Sequence, residues 1–129
     1  MNYNNLINKA IEARKNAYAP YSKFQVGAVV VTQKGNVYTG CNVENASYGA
    51  TICAERVALC KAVSSGERNI KAIAIVYDEE NFASPCGICR QFIYEFGSEI
   101  EIIMAKMNGE YKIKKISELL PDGFGGDLK

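Results

Sequence analysis

The sequence of 129 residues contains no histidine and no tryptophan. Without an imidazole, the Ser-His-Asp and Cys-His arrangements of nucleophilic catalysis are excluded. Fifteen basic and 14 acidic residues give a net charge of +1, so the chain lacks the positive surplus typical of proteins that bind nucleic acid or anionic membranes. No apolar run approaches the ~18 residues of a membrane span, and the N-terminus lacks the basic and then apolar pattern of a secretory signal. We therefore expect a soluble cytoplasmic protein with no nucleic-acid or membrane partner.

The five cysteines are an odd number in a chain without a recognisable leader. Disulfide frameworks belong to secreted chains and use paired cysteines, so metal ligation or a reactive thiol is the better interpretation. The apolar fraction of 48% and the charged fraction of 22% are ordinary for a globular protein. The length is that of one domain of ~100–150 residues, and we expect residues 1–129 to form a single domain.

Hydrophobic periodicity predicts helices alternating with strands. The predicted helices cover residues 3–18, 51–65 and 86–96, with one further helical turn at 117–120; on the second helix, Val57, Cys60 and Val63 are expected to face inward. The predicted strands cover residues 24–32, 37–43, 70–77, 100–105 and 111–116, and the turns at 33–36 and at Asn108-Gly109 join two antiparallel pairs. This order predicts an α/β fold, a three-layer α/β/α sandwich around a five-stranded mixed sheet.

A C-x-x-C pair, Cys86 and Cys89, follows Pro85 at the start of a predicted helix. Two sulfurs at this spacing can reach one metal, and a helix N-terminus stabilises thiolates through its partial positive charge. The pair alone does not distinguish a redox motif from a structural or a catalytic zinc site.

A third cysteine, Cys53, also stands where a loop enters a helix, 33 residues before Cys86 and with one strand between them. A βαβ crossover would bring both helix starts to one edge of the sheet, so that three thiolates converge on a tetrahedral zinc with its fourth position open. Glu55 lies two residues beyond Cys53, near enough to act on a water molecule there. An isolated cysteine and glutamate would be a buried small residue and a solvated charge; the downstream C-x-x-C pair favours the zinc interpretation.

The combination of Cys-x-Glu with Pro-Cys-x-x-Cys resembles the three-cysteine form of the zinc nucleobase deaminase pattern. Over nearly its whole length the chain resembles the small, homotetrameric cytidine deaminases. The segments that carry this resemblance, besides Cys53–Arg56 and Pro85–Gln91, are Tyr18–Ala28 and Asn42–Gly49.

The resemblance implies hydrolytic deamination of cytidine and deoxycytidine to uridine and deoxyuridine with release of ammonia, a reaction of pyrimidine salvage. It implies one Zn²⁺ per subunit on Cys53, Cys86 and Cys89, with Glu55 moving protons among water, ring N3 and the leaving amine. It also implies a homotetramer with shared active sites, in which neighbouring subunits contribute aromatic residues. The residues that match substrate-binding positions of the family are Phe24, Asn42, Glu44, Ala54, Tyr48 and Phe124, the last two as the contributed aromatics.

We also expect a role for Arg56, which lies three residues after Cys53, in offsetting the negative charge of the metal site. Zinc with three thiolates has a net charge of −1, which makes it a weaker activator of water than a neutral site. A guanidinium that donates hydrogen bonds to one or two ligand sulfurs would offset this charge. The alternative is an ordinary surface arginine.

Three other functions fit part of the pattern. In a closed structural zinc site, Cys41 or Cys60 would supply a fourth sulfur; otherwise both are expected to be small buried residues. A nucleic-acid deaminase should have a basic groove, whereas the net charge and the predicted antiparallel last strands favour a free nucleoside. A deaminase of nucleoside-like antibiotics is disfavoured by the Asn42-x-Glu44-Asn45 stretch. Without the resemblance, Phe24 could equally be a core residue, and Asn42 and Glu44 an ordinary strand-end turn.

Overall fold

The structure, a computed structural model, describes residues 1–78, 80–125 and 128. Helices and strands alternate along the chain in the predicted order. The helices are α1 (Tyr3–Arg14), α2 (Ala54–Ser64), α3 (Gly87–Tyr94) and α4 (Ile116–Leu119), and the strands are β1 (Val26–Thr32), β2 (Val37–Cys41), β3 (Ile70–Tyr77), β4 (Glu101–Ala105) and β5 (Tyr111–Lys115). None of the helices in the described part of the chain is both long and apolar enough to cross a membrane.

The five strands form one mixed sheet in the order β2-β1-β3-β4-β5. β3 and β4 are parallel, and every other neighbouring pair is antiparallel. β3 lies at the centre and is buried over most of its length, as its almost continuous apolar sequence predicts for a strand covered on both faces. The predicted mixed sheet and the antiparallel β4–β5 pair are confirmed.

Helices cover both faces of the sheet, which confirms the three-layer arrangement. On one face, α1 packs through Leu6, Ile7 and Ala10 against strand residues such as Val29 and Ala74. On the other face, α2, α3 and α4 bury residues that include Leu59, Ile93 and Ile116 against the opposite side chains of the same strands. The alternation of strand side chains between the two faces accounts for both core clusters.

The inward face of α2 differs from the sequence prediction. Its buried residues are Ala54, Glu55, Ala58, Leu59 and Ala62, whereas Cys60 is exposed and Cys41 is only half-buried. The prediction of an inward Val57, Cys60 and Val63 stripe is therefore wrong. The reason is close packing: a Cβ on Gly40 of β2 would stand 2.5 Å from the Ala54 carbonyl oxygen, so the helix approaches the sheet through its smallest side chains.

Several element boundaries lie inside the predicted ones. α1 ends at Arg14, well before Pro20, because the chain turns there and the Tyr18 amide donates to the Asn42 carbonyl oxygen at 3.0 Å. β1 begins at Val26, so Phe24 lies in the preceding loop.

The topology places two loop-to-helix junctions at one edge of the sheet. β1 is antiparallel to both β2 and β3, so β2 and β3 run in the same direction and their carboxyl ends meet at the same edge. The connection after β2 leads into α2 at Cys53, and the connection after β3 leads into α3 at Cys86. The predicted convergence of the two helix starts is confirmed.

Candidate zinc and nucleoside site

The three predicted zinc ligands, Cys53, Cys86 and Cys89, form one cluster. Their sulfur atoms all lie within 4.8 Å of one another, and the Sγ atoms of Cys53 and Cys86 are 3.8 Å apart. Sulfurs bound to one tetrahedral zinc at ~2.3 Å stand about 3.8 Å apart, so the residues fit this ion. Among residues 1–78, 80–125 and 128, this is the one group of histidine, cysteine or acidic side chains close enough to hold a metal, and neither Cys41 nor Cys60 belongs to it.

Helix N-termini position these thiols. Cys53 and Cys86 are the N-cap residues of α2 and α3, and the Cys86 sulfur accepts the Cys89 amide at 3.5 Å. A hydrogen bond with Cys89 lowers the pKa of the Cys53 thiol, and Arg56 acts in the same direction. The pKa of the Cys89 thiol is raised, first by that same hydrogen bond. The lowered pKa of Cys53 favours its thiolate, which is the form of cysteine that binds a metal.

Glu55 lies in the first turn of α2 and is only 3% exposed. Burial raises the pKa of its carboxyl group to about 7, and the negative charge on Cys53 acts in the same direction. A carboxyl group that titrates near neutral pH can both take and return a proton.

Arg56 faces the thiols, as the charge argument predicts. Its Nη2 atom is 3.5 Å from the Cys53 sulfur and 3.4 Å from the Thr51 carbonyl oxygen. Hydrogen bonds with Cys53 and Cys89 raise the pKa of the guanidinium, which therefore stays charged beside them. Its Nε atom is buried without a hydrogen-bond partner in the described part of the chain.

A cavity of about 270 Å³ opens beside the cysteine cluster and Glu55. One wall consists of the Phe24 and Tyr77 rings, which meet edge to face with their centroids 5.2 Å apart. The residues that line the cavity and were singled out from the sequence are Phe24, Asn42, Glu44, Cys53, Ala54, Glu55 and Cys86. One concave site thus combines an apolar wall, a carboxylate mouth and the metal cluster.

Asn42 and Glu44 are held firmly at the mouth of this cavity. The Asn42 side chain donates to the Phe24 carbonyl oxygen at 2.7 Å and accepts the Val26 amide at 2.9 Å. The Glu44 carboxylate accepts the backbone amides of Tyr21 and Ser22 at 3.0 and 3.2 Å and the Ser22 hydroxyl. The bond from that hydroxyl lowers the pKa of the Glu44 carboxyl, so its charge is fixed in place.

The family comparison agrees with this geometry. The family model described as the cytidine and deoxycytidylate deaminase zinc-binding region matches residues 1–106. The chain belongs to this deaminase family.

Relatives of the deaminase family cover almost the whole chain. A cytidine deaminase of Halalkalibacterium halodurans is 48% identical over 92% of this chain and 91% of its own length, and one of Sporosarcina psychrophila is 45% identical over 96% and 92%. The crystal structure of cytidine deaminase from Burkholderia pseudomallei superposes with a TM-score of 0.93 at 46% identity, covering 96% of this chain and 100% of that one.

Two residues that the deaminase resemblance assigns to the substrate lie apart from the cavity. Tyr48 is 76% exposed on a short 3-10 turn (Tyr48–Ala50) and contacts the Tyr21 ring. Phe124 is 70% exposed near the C-terminus. Neither Tyr48 nor Phe124, both in the described part of the chain, lines the cavity beside Glu55. A single chain therefore does not bring these two residues to its own site.

Four cavity residues were not singled out from the sequence, namely Ser22, Val26, Thr51 and Tyr77, and two of them hold neighbouring groups in place. Ser22 orients Glu44, and its hydroxyl also accepts the Phe24 amide at 3.0 Å. Tyr77 donates its hydroxyl to the Ser84 carbonyl oxygen and accepts the Ser84 amide at 3.0 Å. Two features of the sequence could have pointed to Ser22 and Tyr77. Ser22 lies inside a segment that carries the family resemblance, and Tyr77 is a polar ring at the end of an apolar strand.

Proposed function

We propose that this protein is a zinc-dependent cytidine deaminase that hydrolyses the 4-amino group of cytidine and deoxycytidine, as in pyrimidine salvage. The observation that carries the proposal is the buried Glu55 carboxyl beside three convergent thiols, at the end of a cavity of about 270 Å³. When bound, zinc supplies the Lewis acidity that makes water a nucleophile near neutral pH.

The cysteines and Glu55 would have different roles beside the reacting atoms: the cysteines would bind the metal, and Glu55 would transfer protons. Cys53, Cys86 and Cys89 would hold one ion per subunit, and their three sulfurs leave one position of a tetrahedron open. Glu55 would take one proton from water and deliver it to ring N3, and would then pass the second proton of that water to the amine, which leaves as ammonia. Its position within a buried pocket and its pKa of about 7 support both directions of transfer.

The other cavity residues would bind and orient the nucleoside. The edge-to-face rings of Phe24 and Tyr77 offer an apolar wall for the pyrimidine. Asn42 and Glu44 would bind the ribose hydroxyls, and Ala54 would contact the base. The fixed negative charge of Glu44 favours a nucleoside over a nucleotide, because a phosphate nearby would be repelled.

Subunits would complete one another's sites. The exposed Tyr48 and Phe124 support a homotetramer in which these rings enter the active sites of neighbouring chains. The cytoplasmic location and the absence of nucleic-acid partners remain predictions from the sequence.

A single spectroscopic assay tests the activity. Purified protein with zinc is mixed with cytidine, deoxycytidine or cytidine 5′-monophosphate, and the ultraviolet absorbance is followed while ammonia is measured. We expect both nucleosides to be converted and the monophosphate to react far more slowly. Conversion of the monophosphate at the nucleoside rate would contradict the role of Glu44, and no conversion of any substrate would contradict the proposed function.

A further inference from the structure

Helix α3 continues beyond its zinc ligands with a side chain that joins two separate segments. The Arg90 guanidinium donates from Nε to the Pro85 carbonyl oxygen at 2.8 Å and from Nη2 to the Ser84 hydroxyl at 2.9 Å. Its Nη1 donates to the Leu119 carbonyl oxygen at 2.9 Å. Pro85 and Ser84 lead directly into Cys86, whereas Leu119 ends α4. One rigid, planar group therefore fixes the loop before a zinc ligand against the start of the C-terminal segment.

The next residue of the same helix holds the far end of that segment. The Gln91 side-chain amide donates to the Phe124 carbonyl oxygen at 3.0 Å. One turn along, the Tyr94 ring packs so closely on Gly123 that a Cβ there would stand 2.7 Å from a ring carbon. Arg90, Gln91 and Tyr94 lie on neighbouring positions of one helical surface, and we name this set the tail clamp.

The clamp leaves the Phe124 ring free while its backbone is held. The ring is 70% exposed, although the carbonyl oxygen of the same residue is bonded to α3. An exposed ring on a fixed backbone is presented to a partner at low cost in conformational entropy. The zinc ligand Cys89 immediately precedes Arg90, so one helix sets the position of both the metal cluster and this ring.

We propose that Arg90 and Gln91 are positioning residues that hold Phe124 in place for the substrate site of a neighbouring subunit. This inference rests on the proposed function for the role of Phe124, but the clamp itself is a property of one chain. Arg90 and Gln91 themselves would not touch the substrate. They would act on it only through the Phe124 ring.

The first experiment measures the clamp without reference to activity. Amide hydrogen exchange is followed in peptides that cover residues 120–125 of the zinc-loaded wild type, Gln91→Leu and Gln33→Leu. Gln33 is an exposed residue with no side-chain hydrogen bond among the described residues, so Gln33→Leu is the matched control. We expect exchange to rise about fivefold in Gln91→Leu, the change that loss of one hydrogen bond worth ~1 kcal/mol produces. Gln33→Leu should match the wild type, and zinc content should not change in either variant.

A second variant keeps this test decisive if Gln91→Leu does not fold. Gln91→Glu keeps the size of the side chain but replaces the donor with an acceptor, and it should raise exchange at least as much. Unchanged exchange in the folded Gln91 variants would overturn the proposal.

The second experiment separates positioning from a general structural role. In a double-mutant cycle of Gln91→Leu and Phe124→Ala, kcat and KM for cytidine are measured for all four proteins. If Gln91 acts through Phe124, Gln91→Leu should lower kcat/KM several-fold in the wild type, mainly through KM, and by less than about twofold when Phe124 is already alanine. Equal losses in both backgrounds would overturn the proposal. If the wild type does not deaminate cytidine, the proposed function fails, and the exchange comparison still decides whether the clamp exists.

Discussion

Glu55 is a carboxyl group in surroundings that oppose its ionisation. It is buried beside a thiolate, and both features raise its pKa. A structural role would be served better by an apolar residue of the same volume, because a buried carboxylate costs free energy unless it is fully compensated. This cost is the strongest sign that Glu55 serves proton transfer, as we propose.

We expect Glu55→Gln to keep zinc and fold while activity falls at least ~10²-fold, since glutamine cannot carry a proton between water and base. Steady-state kinetics with cytidine, metal analysis and circular dichroism check the three parts of this outcome. Near-normal turnover by a zinc-loaded Glu55→Gln protein would remove Glu55 from the mechanism.

Arg56 is expected to support the metal cluster through charge. Its guanidinium lies 3.5 Å from the Cys53 sulfur, where it would offset the excess negative charge of three thiolates around one zinc. We expect Arg56→Gln to release zinc about tenfold faster to a chelator than the wild type. Arg68→Gln makes the same change at an exposed arginine and should release zinc at the wild-type rate. Equal rates in all three proteins would contradict the charge role.

The candidate zinc ligands and Glu55 could be predicted from the sequence, because a zinc site and its chemistry require these residue types at this spacing. Ser22 and Tyr77 were not predicted. Their contacts with Glu44 and Ser84 form only when the loops are folded around the cavity, and the local sequence does not show this. The exposure of Cys60 was also not predictable from its hydrophobic character, since packing against Gly40 selects the alanines of α2 instead.

The position of α2 on the sheet depends on one glycine, Gly40 of β2. A Cβ on Gly40 would stand 2.5 Å from the Ala54 carbonyl oxygen and 2.6 Å from the Ala58 amide. These atoms are backbone and cannot turn aside, so a larger residue must push α2 away from β2. Cys53 and Glu55 flank Ala54, and they would move with the helix.

We therefore expect Gly40→Ala to lower the free energy of unfolding by about 1–3 kcal/mol and to weaken zinc binding. The matched control is Gly27→Ala, where a Cβ would strike the Ala10 carbonyl oxygen of α1 on the opposite face of the sheet. That variant should also be destabilised, but its folded form should bind zinc as the wild type does, because α1 carries no ligand. Denaturant unfolding and zinc titration measure both quantities; equal weakening of zinc binding in the two variants would point to general instability instead.

The order and type of the elements followed from hydrophobic periodicity, whereas their ends did not. α1 ends at Arg14 rather than at residue 18, because the Tyr18 and Glu44 amides bond across to the partner loop. Such bonds depend on residues distant in sequence, and no local pattern reports them. The same holds for Phe24, which the pattern extends into β1 but which the Ser22 hydroxyl holds in the loop.

A second cavity of about 410 Å³ lies next to the proposed site, and Tyr21, Glu44 and Tyr48 are among the residues that line it. It shares Ser22, Glu44 and Thr51 with the cavity beside the cysteines, so the two cavities are neighbours. Exposed aromatic residues around a largely apolar recess are typical of a surface that another subunit covers.

If subunits share active sites, two variants with impaired activity should complement each other. Glu55→Gln removes the proton carrier, whereas Phe124→Ala removes the ring that we propose a neighbour contributes. In a randomly mixed homotetramer, about a quarter of the sites would combine an intact Glu55 from one chain with an intact Phe124 from another. We therefore expect the two proteins, unfolded, mixed in equal amounts and refolded with zinc, to recover up to about a quarter of the wild-type activity, well above either variant alone. Light scattering of the same samples should give the mass of four chains. Activity no higher than the mean of the two separate variants would show that each chain supplies both residues to its own site, and a fully active monomer would contradict the shared site altogether.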